Sequence, residues 1–232
     1  MSARNPVFCA LDTPDLAKAL DLARVLKDHV HGFKLGLEFF HAHGTAGYGK
    51  IADAGAPIFL DLKLHDIPNT VAGAAASLLP LKPAFMTLHA SGGAAMMHAA
   101  ANVVAKAGAA RPRLLGVTVL TSMDAKDLTA VGQDANAGKQ VLRLAQLAKD
   151  SGLDGVVCSP EEVAALRAAL GPDFILMVPG IRPSWAAAND QKRVMTPQEA
   201  FRAGASYLVI GRPITGADDP AKAAARIKAE LA

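Results

Sequence analysis

The stretch Pro57-Ile-Phe-Leu-Asp61-Leu-Lys63-Leu-His-Asp66-Ile-Pro68-Asn-Thr70 places two charges inside an apolar run of β-strand length. Side chains alternate across a strand, so Asp61 and Lys63 share one face, and Leu60, Leu62 and Leu64 share the other. The leucine face belongs against surrounding helices, which turns both charges toward an interior. Burying an ion is costly unless it is paired, so a strand seldom carries two inward charges without a use for them. Asp66 follows past the strand end. Pro68 suits the first turn of a following helix, with Asn69 and Thr70 beside it.

Seven further apolar runs flank this one. Together the eight cover 6–12, 32–37, 57–64, 84–89, 113–121, 154–159, 174–179 and 206–211. Segments rich in Ala, Leu, Lys and Glu separate them, as at 15–29 and 139–151. Four joins share a small-residue pattern: Ala54-Gly55-Ala56, Ser151-Gly152-Leu153, Leu170-Gly171-Pro172 and Ala203-Gly204-Ala205. Strands separated by helices imply parallel pairing, and runs apolar on both faces imply cover on both sides. An open, doubly wound sheet fits the same count. Polar residues decide between the two, because they gather at the carboxyl ends of the runs: Asp12, Lys34, Asp61, Lys63, His89, Thr121, Arg182 and Arg212. In a closed barrel these ends form one rim, where active sites sit. The expected fold is α/β, a (β/α)8 TIM barrel with its active site at the C-terminal ends of the strands. One catalytic domain is expected over residues 1–232.

Composition agrees with that frame. Apolar residues make up 51% of 232, enough for one large core. The net charge is +3, and no run or face concentrates Lys and Arg as a nucleic-acid polymer would require, whereas a small anionic substrate fits. Cys9 and Cys158 sit in apolar runs and are expected to be buried bystanders. The amino terminus lacks an apolar stretch of signal-peptide length, and no window nears the ~18 apolar residues of a membrane span. A cytoplasmic protein without a membrane partner is expected. His41 and His43 form an H-x-H pair too sparse for a metal site. His89 reads as a hydrogen-bonded core histidine, and Trp185 as loop packing.

A lone Asp61–Lys63 pair is open to a purely structural reading. Lys34, in the neighbouring strand at a similar height, and Asp12, at the end of the first strand, add to it. Several mixed charges converging on one rim have the character of a catalytic array. Phosphate in such barrels commonly sits on the loops after strands seven and eight, here 179–194 and 211–213. Gly211 allows close backbone approach there, and Arg212 offers a planar fork to an anion.

The pattern Asp61-Leu-Lys63-Leu-His-Asp66 resembles the signature of orotidine 5′-monophosphate decarboxylases of the bacterial type. The likeness runs along nearly the whole chain: 7–12, 33–36, Ile67-Pro68-Asn69-Thr70, Leu88-His-Ala-Ser-Gly-Gly93, Val117-Thr-Val-Leu-Thr-Ser122, Pro179-Gly-Ile-Arg-Pro183, 190–197 and Ile210-Gly-Arg-Pro213. The resemblance implies conversion of orotidine 5′-monophosphate to UMP and CO2, the last step of de novo UMP biosynthesis, without metal or other cofactor. It implies that Arg212, the Gly211 amide and Gln191 hold the 5′-phosphate. Arg182 would contribute from a loop closing over the ligand. Thr121 would line the site near the pyrimidine, with Ser122 a weaker choice for the same edge. Asp12 and Lys34 would hold ribose hydroxyls, with Lys34 also pairing Asp61. Asp66, Ile67 and Thr70 would reach into a partner's site, making the active unit a homodimer.

Loss of CO2 leaves a charge on C6 that the pyrimidine ring delocalises poorly. Lys63 is the natural provider of the opposing charge and then of the proton, with Asp61 holding it aimed. Two rivals remain. Related sugar-phosphate decarboxylases and aldolases share the charged strand but use Mg2+, held by an acidic residue where this chain has Lys34. A non-catalytic phosphate sensor would account for Arg212 but not for the Asp–Lys alternation.

Overall fold

A computed structural model describes residues 5–186 and 195–231. The first half of the chain runs β1 (Val7–Ala10), α1 (Leu16–Leu26), β2 (Gly32–Gly36), α2 (Leu37–Ala52), β3 (Ile58–Leu64), α3 (Pro68–Leu78), β4 (Phe85–His89) and α4 (Ala94–Ala105). The second half runs β5 (Arg113–Val117), α5 (Ala125–Ala130), α6 (Ala137–Asp150), β6 (Gly155–Val157), α7 (Val163–Leu170), β7 (Ile175–Val178), α8 (Pro197–Arg202), β8 (Tyr207–Ile210), α9 (Arg212–Thr215) and α10 (Pro220–Glu230). Each strand pairs in parallel with its sequence neighbours, and β8 closes on β1. The expected barrel is therefore formed, and each of the eight apolar runs contains one of its strands.

Local chemistry explains the boundaries. Asp15, Asn136 and Asp219 cap α1, α6 and α10 by accepting from the backbone three residues on. Pro68 opens α3, where its missing N–H is no loss. The glycine of each repeated helix-to-strand join has φ between +80° and +110°, a conformation that side chains resist. One element departs from expectation: the fifth strand ends at Val117, so Thr121 lies in the loop beyond it rather than at its end. The ladder stops at Thr118, whose backbone N–H and hydroxyl both donate to the Val157 carbonyl, at 3.3 and 2.9 Å.

Two apolar layers result. Outward-facing strand residues such as Leu35, Leu60, Leu88, Val156 and Leu208 pack under the helices. Inside the barrel, Phe8, Phe59, Phe85 and Tyr207 make edge-on ring contacts at 5.2–6.1 Å. This plug fills the lower barrel and confines any ligand to the upper rim.

The opposite face is tied by Arg167 of α7. Its guanidinium donates to the carbonyls of Gly171, Pro172, Phe174 and Gly204 and to Ser206 Oγ, at 2.6–3.0 Å. It thereby joins the segments that lead into β7 and β8. Arg167→Met removes all of these donors at once. It is expected to lower unfolding stability by about 2–4 kcal/mol, read as a fall in urea midpoint at unchanged slope, with activity per folded molecule retained.

Candidate active site

The carboxyl ends of the strands surround a cleft of about 350 Å3, within the range of small-ligand sites. Its walls include eight residues expected from the sequence: Asp12, Lys34, Asp61, Lys63, Thr121, Arg182, Gly211 and Arg212. Apolar side chains of Phe59, Val117, Val157 and Val209 line it between the polar groups.

On β3, Phe59 and Asp61 point inward as alternation requires, but the alternation then breaks. Between Leu60 and Leu64, four steps along β3 match only two along β4, from Met86 to Leu88, which marks a bulge. Within it Lys63 adopts φ +51°, a left-handed conformation that costs a non-glycine residue about 1–2 kcal/mol. Its ammonium folds back to donate to Asp61 Oδ2 at 2.7 Å. The two charges meet as expected, but through a bulge rather than through plain strand periodicity.

Thr87, on β4, completes this arrangement, and nothing in the sequence singled it out. Its hydroxyl donates to Asp61 Oδ1 at 2.9 Å and accepts from the Lys63 backbone N–H at 2.9 Å. Threonine in Phe85-Met-Thr-Leu-His89 looks like any β-forming residue. The only signal is its inward parity with Phe85, which puts a polar atom among apolar ones.

Lys34 is buried at 8% exposure and donates to Asp12 at 2.5 Å. It does not pair with Asp61, as the resemblance implied; its ammonium reaches Asp12, while Asp61 takes Lys63 and Thr87. Gly36 keeps the Lys34–Asp12 pair clear, since a Cβ there would lie 2.9 Å from Lys34 Nζ.

Arg182 and Gly180 follow β7, across the barrel from β3, and Gly211 and Arg212 follow β8. Arg182 is buried; its backbone N–H donates to the Met195 carbonyl at 3.0 Å. Trp185 anchors the same segment to α10. Its indole N–H donates to Glu230 at 2.9 Å, and the Arg226 guanidinium lies 4.7 Å over the ring. Gln191 and the rest of 187–194 lie outside the described residues.

Asp66, Ile67 and Thr70 do not line the cleft of their own chain; all three are exposed, Ile67 at 66%. Ser122 is exposed and away from the cleft wall. His89 is half-buried, with its ring 5.3 Å from that of His65, and makes this ring contact in place of the expected hydrogen bond. Burial, then the neighbouring His65 and Lys63, holds it below the usual histidine range against the pull of Asp61. His41 and His43 are occupied by the carbonyls of Leu37 and Pro14, both at 2.8 Å. Among the described residues, no helix is long and apolar enough to cross a membrane.

The model of the Orotidine 5′-phosphate decarboxylase / HUMPS family matches residues 5–227. An orotidine 5′-phosphate decarboxylase of Paramagnetospirillum magneticum is 56% identical over 231 residues, covering 98% of each chain. One from Rhodospirillum rubrum is 55% identical over 98% of this chain and 94% of its own. The crystal structure of orotidine 5′-phosphate decarboxylase from Lactobacillus acidophilus superposes with a TM-score of 0.86. It is 40% identical, over 98% of this chain and 99% of that one.

Cys158 also lines the cleft, yet both free cysteines are buried. Burial, with Asp12 adding to it, pushes the Cys9 thiol up to about 12; burial, with Glu162 adding, pushes Cys158 up as well. A raised thiol pKa leaves little thiolate at pH 8. Native protein should therefore resist iodoacetamide at pH 8 at both positions and take two labels once unfolded in urea, as counted by intact mass.

Proposed function

The chain belongs to the Orotidine 5′-phosphate decarboxylase / HUMPS family, and on that premise we propose that it converts orotidine 5′-monophosphate to UMP and CO2 in the cytoplasm, with the whole barrel as one catalytic domain. The observation that carries the reading is the Lys63 ammonium held 2.7 Å from Asp61 in a cleft whose far wall bears Arg182 and Arg212. The placement of these groups on opposite sides of one cleft suits a nucleotide, with its pyrimidine carboxylate at one end and its 5′-phosphate at the other.

The chemistry follows from charge. The C6–carboxylate bond breaks, its electron pair stays on C6 and CO2 departs. Lys63 opposes the growing negative charge from a fixed position, so little reorganisation is needed, a contribution of several kcal/mol. It then transfers a proton from Nζ to C6 and regains one from water. Asp61 pairs with the ammonium and keeps it aimed, and its repulsion of the substrate carboxylate ends as CO2 leaves. Asp12 and Lys34 hold the ribose hydroxyls, while Thr121 contacts the pyrimidine edge. Arg182, Gln191, Arg212 and the Gly211 amide take the phosphate, whose binding energy organises the distant charges. No step calls for a metal or other cofactor. Lys34, set against Asp12, also disfavours the Mg2+ reading, because its ammonium would repel a cation there.

Asp66, Ile67 and Thr70 complete the site of a second copy, so the active unit is a homodimer. Their exposure on the single chain, immediately after the strand that carries Lys63, supports this assignment.

Two experiments test the reading. UMP formation should be unaffected by excess EDTA and fall at least about 10³-fold in Lys63→Ala; no turnover by folded native chain would sink the assignment. Inactive Lys63→Ala and Asp66→Ala chains, mixed and allowed to exchange subunits, should recover up to about a quarter of native activity, since a mixed dimer has one site free of both changes. Absence of recovery despite proven exchange would overturn the shared site.

A further inference from the structure

We propose that Thr87 is a positioning residue for Lys63: its buried hydroxyl sets where the ammonium sits, without touching the substrate. This rests on the reading of Lys63 as the proton donor. Three hydrogen bonds form a closed circuit. The Lys63 backbone N–H donates to Thr87 Oγ1, the Thr87 hydroxyl donates to Asp61 Oδ1, and Asp61 Oδ2 accepts from Lys63 Nζ. An amide N–H is only a donor and a carboxylate only an acceptor, so the hydroxyl proton has one possible direction. Thr87 consequently holds Lys63 at both ends, directly at the backbone and through Asp61 at the ammonium.

The backbone contact matters because of the bulge. At φ +51° the Lys63 N–H has left the regular ladder, and Thr87 Oγ1 is the acceptor that replaces a strand carbonyl. The strained conformation persists only where its surroundings over-determine it. Thr87 is 1% exposed and absent from the cleft wall, so its influence reaches the substrate only through Asp61 and Lys63. Displacement of a reacting group by an ångström is enough to slow chemistry by about 10²-fold while ligand binding elsewhere survives. A residue with this role should affect kcat and leave KM nearly untouched.

Thr87→Val keeps the shape and removes both hydrogen bonds, whereas Thr87→Ser keeps both. With orotidine 5′-monophosphate as substrate, Thr87→Val should lose about 10–100-fold in kcat, with KM within about twofold of native. Thr87→Ser should recover kcat to within about threefold. Circular dichroism and the affinity for UMP report whether each variant is folded with its phosphate end intact, and Thr87→Ala replaces the valine variant if that one does not fold. Native kcat without the hydroxyl, a loss falling mainly on KM, or a folded serine variant as slow as valine would each overturn the proposal. Lys63→Ala, run alongside, separates the two readings. If it turns over normally, the proton-donor assignment fails; if it is inactive while Thr87→Val is native, only the role of Thr87 fails.

Discussion

A carboxylate at the mouth of an apolar barrel must find donors or give up its charge, and Asp61 finds them on both oxygens. Lys63 supplies one and Thr87 the other. This single requirement shapes the surroundings. It accounts for the bulge in β3, which lets a lysine two residues on fold its ammonium back onto the carboxylate. Lys34 pairs with Asp12 instead, so two separate ion pairs stand on the neighbouring strands in place of one continuous chain of charge. Fixed charges of this kind act on a reacting centre without first having to reorient, which is where electrostatic catalysis gains over water.

The rest of the molecule braces the two sides of the cleft. Aromatic rings fill the barrel below it, so the floor cannot sink. Arg167 ties the entries of β7 and β8 on the far face, and Trp185 ties the segment after β7 to α10. The arginines proposed to grip phosphate therefore project from a braced wall. Binding energy gained at that wall is transmitted to the charged end only if the frame between them resists deformation.

Much of this was legible in the residues because it rests on local rules. Eight apolar runs announce eight strands, since burial on both faces leaves no polar alternation to hide them. Pro68 marks a helix start because it has no N–H to lose there, and the segments 15–29 and 139–151 overlap α1 and α6. The convergence of Asp12, Lys34, Asp61, Lys63 and Arg182 on one cleft follows from strand ends sharing a rim. Thr121 was placed correctly on the cleft wall but wrongly on a strand, because the end of a parallel ladder depends on where the neighbouring strand stops offering carbonyls.

By itself the sequence determined the barrel, its family and the residues that meet at its rim, since periodicity, capping and motif spacing are properties of the chain read in order. Tertiary structure alone decided how those residues are partnered. The acceptor for the Lys63 amide is a threonine 24 positions away on another strand. The pairing of Lys34 with Asp12 rather than Asp61, and the ring contact of His89 with His65, depend on distances set by barrel closure. Hydrogen bonds select by ångströms and angles, and a linear order of residues fixes neither until the sheet has closed.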